Sequence, residues 1–152
     1  MTLPTSSKTT DSSMTQEPKL KVADLPKIKI VDINTASPSR IILLVDDDAD
    51  TRQLTKLFLS NFGFEVDSAG SASEALARFN PLMHQLVLTD NSMPGMTGGE
   101  MAQIIKQKSP ATPVLMCSGS PPNDTSAIDI VIKKPTYLLA IKEAIDKLLP
   151  AK

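Results

Sequence analysis

Three consecutive aspartates, Asp46, Asp47 and Asp48, follow the apolar run Ile41 to Val45, and Asp90 follows the run Leu86 to Thr89. Ser118 closes the run Pro113 to Cys117, and Lys134, backed by Pro135, comes just after Ile128 to Ile132. Carboxylates held close together raise one another's pKa, so a cluster of this kind calls for a cation to offset it. Two or three carboxylates with room for water suit Mg²⁺. Asp48 and Asp50 also read as the acidic first turn of a helix, which its dipole favours. Asp46 and Asp47, at the exit of a strand, are not explained that way. Taken singly, Ser118 reads as a turn former beside Gly119, and Lys134 as a solvated charge like Lys133. Taken with Asp90 and the acidic pair, they read as a site.

These groups meet only if the apolar runs are strands of one sheet whose ends share an edge. From Arg40 onward, short apolar runs alternate with amphipathic segments, the pattern of a parallel sheet covered by helices. IILLV is apolar at every position, as a strand buried on both faces should be. A helix is predicted over about 50–61, with Leu54, Leu57 and Phe58 on its inner face and Gly63 as its stop. Phe64–Ser68 is the second strand. SASEALARF is a helix with a capping box from Ser71 and Glu74, closed off by Pro81. LVLT is the third strand, GGEMAQIIKQK the next helix, PVLMC the fourth strand, IDIVI the fifth and TYLLAIKEAIDKLL the last helix, with Leu138, Ile141, Ile145 and Leu148 inward. In open parallel sheets ligands bind outside the carboxyl ends of the strands. Every candidate residue falls there.

The chain of 152 residues suits one domain of ordinary size, about 100–150 residues, with a tail. Residues 1–39 are rich in Ser, Thr, Pro and Lys and are expected to be a disordered tail; the stretch Ile28 to Ile33 is either linker or an edge strand. The net charge of −1 lacks the basic excess that binding a phosphate backbone requires, so no direct nucleic-acid contact is expected. Cys117, the single cysteine, excludes an internal disulfide framework and fits a cytoplasmic setting. It should pack as a small apolar residue. No apolar leader and no run of about 18 apolar residues are seen, so neither secretion nor membrane insertion is expected. His84 reads as a surface residue in a polar loop.

Four motifs in order, ILLVDDDADTR, LVLTDNSMPGMTG, VLMCSGS and IKKP, resemble those of response-regulator receiver domains of two-component signalling. The resemblance covers residues 40–149. It implies a flavodoxin-like, doubly wound α/β fold, with five parallel strands in the order 2-1-3-4-5 and helices on both faces. It further implies that Asp90 accepts a phosphoryl group from a sensor histidine kinase, a histidine phosphotransfer protein or acetyl phosphate. Asp47, Asp90 and the carbonyl of Ser92 would ligate Mg²⁺, and Asp46 would act through a coordinated water. Lys134 and Ser118 would contact Asp90 or its phosphoryl oxygens. Such a chain is a signalling switch, catalysing only its own phosphorylation and dephosphorylation, and it acts on a protein effector.

Two features depart from the family. GSPPNDTSAIDIVIK leaves room for only a short fourth helix or none, and Val131 stands where the family tends to place an aromatic that couples the hydroxyl to the output surface. The small Gly119 and Ser92 are expected to leave an acyl phosphate open to water. No output domain is expected after Leu149, which suggests a single-domain regulator or phosphorelay intermediate. The alternatives are a receiver fragment of a hybrid histidine kinase and, from another class, a Mg²⁺-dependent phosphohydrolase with an Asp nucleophile. The latter would look to Asp46, which has Asp48 two residues on.

Overall fold

A computed structural model describes residues 40–150; the expected tail and the possible edge strand at Ile28 to Ile33 lie outside the described residues. The apolar runs become five strands, β1 (Ile41–Val45), β2 (Glu65–Ala69), β3 (His84–Thr89), β4 (Val114–Ser118) and β5 (Ile130–Lys133). They form one parallel sheet in the order β2-β1-β3-β4-β5. The helices are α1 (Ala49–Asn61), α2 (Ala72–Arg78), α3 (Gly98–Lys108) and α4 (Leu138–Leu148).

Because side chains alternate across a strand, β1 serves two cores. Ile42 and Leu44 join Leu59, Phe64, Leu86, Leu115, Ile141 and Ile145 on the face covered by α1 and α4. Leu43 and Val45 join Ala72, Ala75, Val87, Met101 and Ile105 on the face covered by α2 and α3. No helix joins β4 to β5. Ala127 and Ile128 of the connecting loop pack against the α2 and α3 core instead. The prolines and the short span account for this, as the sequence predicts.

The inner face of α1 differs from expectation. Leu54 and Leu57 are 57% and 55% exposed, while Thr55 and Leu59 are buried, with Phe58 partly so. At about 100° per residue only one i, i+4 row can face the sheet. Leu59 of the inward row packs in the core with Ile42, Leu44 and Ile145, and on the same side the Arg52 guanidinium donates to the Asp46 carbonyl at 2.6 Å. Gly63 stops the helix as predicted, in the left-handed region at φ 89°.

His84 is a second correction. It begins β3 and is 1% exposed, with Nε2 3.0 Å from Asp67 Oδ2 and Nδ1 accepting from the Asn80 N–H at 3.0 Å. A ring with both nitrogens partnered satisfies the rule for buried polar groups, so a histidine in a polar stretch could enter the core. The capping box at Ser71 forms only in half. Ser71 accepts from the Glu74 N–H, but Glu74 bonds the N–H of Gly70. A complete box stands at Thr97 and Glu100.

Candidate functional site

Backbone bonds past the strand ends place the site. Asp46 N–H donates to Ala69 O, Asp90 N–H to Val45 O and Lys134 N–H to Ser118 O, so all three residues continue the sheet at its carboxyl edge. Asp48, next in line, caps α1 by accepting from Asp50 N–H. The acidic triplet thus divides into one buried, one exposed and one capping residue, Asp46, Asp47 and Asp48.

Lys134 Nζ lies 3.0 Å from Asp90 Oδ2. Asp90 Oδ1 accepts from the N–H groups of Asn91 at 2.6 Å and Ser92 at 3.3 Å. Burial works against the Asp90 carboxylate, but the Lys134 ammonium and the Ser118 hydroxyl outweigh it and hold its carboxyl below the usual value. Lys134 in turn is disfavoured by burial, yet the Asp90 carboxylate raises its pKa above the ordinary lysine value. Ser118 is fully buried, its Oγ accepting from Ser120 N–H at 3.1 Å. A cavity of about 300 Å³ opens at this edge, lined by Asp46, Asp90 and Lys134 at its polar end and by Leu88, Cys117 and Ile141 behind. Cys117 is buried as expected, and burial pushes its thiol up.

Asp46 is the opposite case to Asp90. Burial raises its pKa, the Asp48 N–H and Lys134 offset this only in part, and the charges of Asp90 and Asp47 add to the rise. Its carboxylate at neutral pH is therefore a local cost in want of a cation. Among the described residues no three His, Cys, Asp or Glu side chains form an all-protein metal cage. Asp46 and Asp90 both offer carboxylate oxygens at this edge, and Mg²⁺ usually takes one or two carboxylates and keeps several waters. The donor set fits the ion.

A raised native pKa means that the folded state holds more protons than the unfolded one. Stability then falls as pH rises from the unfolded carboxyl value through the folded one, and stays lower above it. Asp46→Asn is accordingly expected to raise the Tm at pH 7, by roughly 4 °C for each ~1 kcal/mol released, and to shrink the stabilisation that Mg²⁺ gives the wild type. Thermal melts with and without Mg²⁺ at pH 7 and pH 4 check both.

A profile described as the response regulator receiver domain matches residues 42–144. The chain belongs to that family. This receiver is 31% identical over 122 residues to the autoinducer 1 sensor kinase/phosphatase LuxN of Vibrio campbellii, covering 76% of this chain and 14% of LuxN. With the transcriptional regulatory protein ResD of Bacillus subtilis it shares 37% identity over 75 residues, 49% of this chain and 31% of ResD. The receiver thus spans less than a third of these relatives. Among solved structures, response regulator TrrA of Thermotoga maritima, in complex with Mg²⁺-BeF, matches with TM-score 0.68 and 32% identity, covering 72% of this chain and 99% of that one. A CheY-like receiver domain protein of Methanospirillum hungatei matches with TM-score 0.67 and 31% identity, covering 72% and 94%. The fold and the phosphoacceptor role predicted from the sequence are those of the family, whose members are signalling switches rather than classical enzymes. No helix among the described residues is long and apolar enough to cross a membrane.

Of the residues singled out from the sequence, Asp46, Asp90, Ser118 and Lys134 come together. Asp47 and Ser92 lie exposed beside them. Sequence reasoning missed Arg52, Asn91 and Gly98. The doublet Gly98-Gly99 at the start of α3 was the available signal, since two helix-disfavouring residues at a helix start point to a close approach.

Proposed function

We propose that Asp90 is the phosphoacceptor of this receiver, taking a phosphoryl group from the phosphohistidine of a sensor histidine kinase or histidine phosphotransfer protein, or from acetyl phosphate, with Mg²⁺ present. Asp47, Asp90 and the Ser92 carbonyl would hold the ion, with Asp46 acting through a coordinated water. Bound there, the ion would neutralise charge on the phosphoryl oxygens. Lys134 holds its ammonium on the carboxylate that is to react and is placed to follow the charge onto the phosphoryl group. Ser118, buried at the same edge, supplies a hydroxyl to it.

The observation that carries this reading is the Lys134–Asp90 pair at 3.0 Å beside the buried Asp46 carboxyl group. Phosphoryl transfer relies on positioned charge more than on covalent assistance, and the residues here supply that. The receiver catalyses its own phosphorylation and dephosphorylation and does not turn over a separate substrate. A phosphohydrolase acting through Asp46 is not favoured, since Asp46 is buried and bonded to the Asp48 N–H while Asp90 carries the lysine. The signalling partner is a protein effector, with no direct nucleic-acid contact, and the setting is the cytoplasm. Residues 40–149 form the receiver, which works as a regulator or relay intermediate.

Incubation with Mg²⁺ and acetyl phosphate, followed by intact and peptide mass, tests the reading. A gain of one phosphoryl group on the peptide bearing Asp90 supports it. Steady phosphate release from many substrates with no covalent species on that peptide would overturn it. Ser92 and Gly119 are both exposed, so water reaches the acyl phosphate, and the isolated phosphoprotein is expected to decay within minutes. A lifetime of many hours in the mass assay opposes that expectation.

A further inference from the structure

Asn91 makes four hydrogen bonds that join three separate segments. Its N–H donates to Asp90 Oδ1 at 2.6 Å, and its carbonyl accepts from Gly98 N–H at 3.0 Å. Its side-chain Oδ1 accepts from Gly99 N–H at 2.9 Å, while Nδ2 donates to the Ser120 carbonyl at 2.9 Å. The amide orientation is fixed by chemistry, since one partner is an obligate donor and the other an acceptor. The residue is only 9% exposed. The junction is tight around it, because a Cβ on Gly99 would stand 3.0 Å from Pro122 Cγ and 3.3 Å from Asn91 Oδ1.

Ser120 and Pro122 belong to the loop 119–129 that stands where the family usually places a helix, and Val131 lacks the family's aromatic ring. We infer that Asn91 is a positioning residue that carries the state of Asp90 to residues 119–124, making that loop the surface that responds to phosphorylation. The inference rests on Asp90 being the phosphoacceptor.

The physical link is the charge on Asp90. When one of its oxygens bonds to phosphorus, the donor's bond to phosphorus breaks and the leaving group keeps the electron pair. What remains on Asp90 is a neutral acyl group. The Asn91 N–H bond then loses its ionised acceptor, and charge-assisted bonds are roughly twice as strong as neutral ones. Lys134 leaves Oδ2 for the phosphoryl oxygens. The hold of Asp90 on the peptide carrying Asn91 is weakened, and the Asn91 side chain is bonded directly to the Ser120 carbonyl.

Amide spectra of the ¹⁵N-labelled chain, recorded with Mg²⁺ before and after acetyl phosphate, test this, with intact mass of the same samples giving the phosphorylated fraction. In the wild type the signals of Gly119, Ser120, Asn123 and Asp124 are expected to shift along with that of Ser92. Asn91→Asp keeps an acceptor for Gly99 N–H and loses the donor to Ser120, so the loop shifts per phosphorylated molecule should be lost while that of Ser92 persists. Asn91→Ala should do the same, and Asn91→Asp serves alone if the alanine variant does not fold. Loop shifts of wild-type size in a phosphorylated variant, or none in the fully phosphorylated wild type, overturn the inference. Absence of any mass gain in the wild type overturns instead the phosphoacceptor reading, and the inference with it.

Discussion

Asp90→Asn is expected to abolish phosphoryl uptake: the mass gain seen with Mg²⁺ and acetyl phosphate should vanish. The amide keeps an oxygen for the Asn91 and Ser92 N–H groups, which lie 2.6 Å and 3.3 Å from Oδ1, so local geometry is preserved. It has no anionic oxygen to attack phosphorus, and it leaves Lys134 without its counter-ion. Lys134→Ala makes the instructive contrast. The nucleophile remains, but the ammonium that would stabilise the phosphoryl oxygens is gone. Loss of one such preorganised donor lowers rates by about 10²–10³, so a slowed approach to the same final mass is expected. Uptake by Asp90→Asn at the wild-type rate would place the acceptor elsewhere. A pH signature accompanies the loss. Because the Asp90 carboxyl is held below its ordinary value, its charged form stabilises the native state. That contribution is complete above the unfolded value near pH 4 and disappears as pH falls through the folded value. Stability curves of the wild type and Asp90→Asn should therefore converge in acid.

The second large effect is structural. Gly98 starts α3 so close to the acceptor loop that a Cβ there would lie 2.0 Å from the Asp90 carbonyl oxygen and 3.0 Å from Asn91 Cα. Both are backbone atoms and cannot rotate away. Alanine in a helix is ordinarily favoured over glycine by roughly 0.5–1 kcal/mol, yet here the overlap reverses the sign. Gly98→Ala is expected to destabilise by about 1–3 kcal/mol, read as a lower denaturant midpoint with unchanged m-value. It should also slow phosphorylation, since the backbone of Asp90 must shift to admit the methyl group. Gly99→Ala is the control. Its nearest neighbour is the Pro122 ring at 3.0 Å, a side chain on a loop that can yield, so a smaller loss is expected. Equal losses at the two positions would show that the close approach to Asp90 is not what demands glycine.

Much of the molecule was legible in the sequence because its signals are local. A strand buried on both faces is apolar along its length, as IILLV is throughout and LVLT is up to its final Thr89. The polar residues that end each run then mark the carboxyl edge without any knowledge of packing, which is why Asp46, Asp90, Ser118 and Lys134 could be named together. The proline-rich stretch after Ser118 likewise announced its missing helix, since proline lacks the N–H a helix needs. Strand ends were read a residue or two out, with β3 starting at His84 and β5 at Ile130.

What lay beyond reach depends on how the segments pack against one another. In α1 it is Thr55 and Leu59 that pack inward, so Leu54 and Leu57 face outward. His84 is buried because Asp67 and Asn80 partner its two nitrogens. Asn91 gained its place only when the fold brought Ser120 within 2.9 Å of its amide. The sequence by itself determined the strands and the edge at which Asp46, Asp90, Ser118 and Lys134 stand, because apolar runs and the polar residues ending them are properties of neighbours, while the strand order and the role expected of Asp90 came from the family resemblance. The tertiary structure alone decided which face of α1 is buried, the burial of His84 and the tie from Asn91 to the helix-free loop, because each depends on how segments pack on folding.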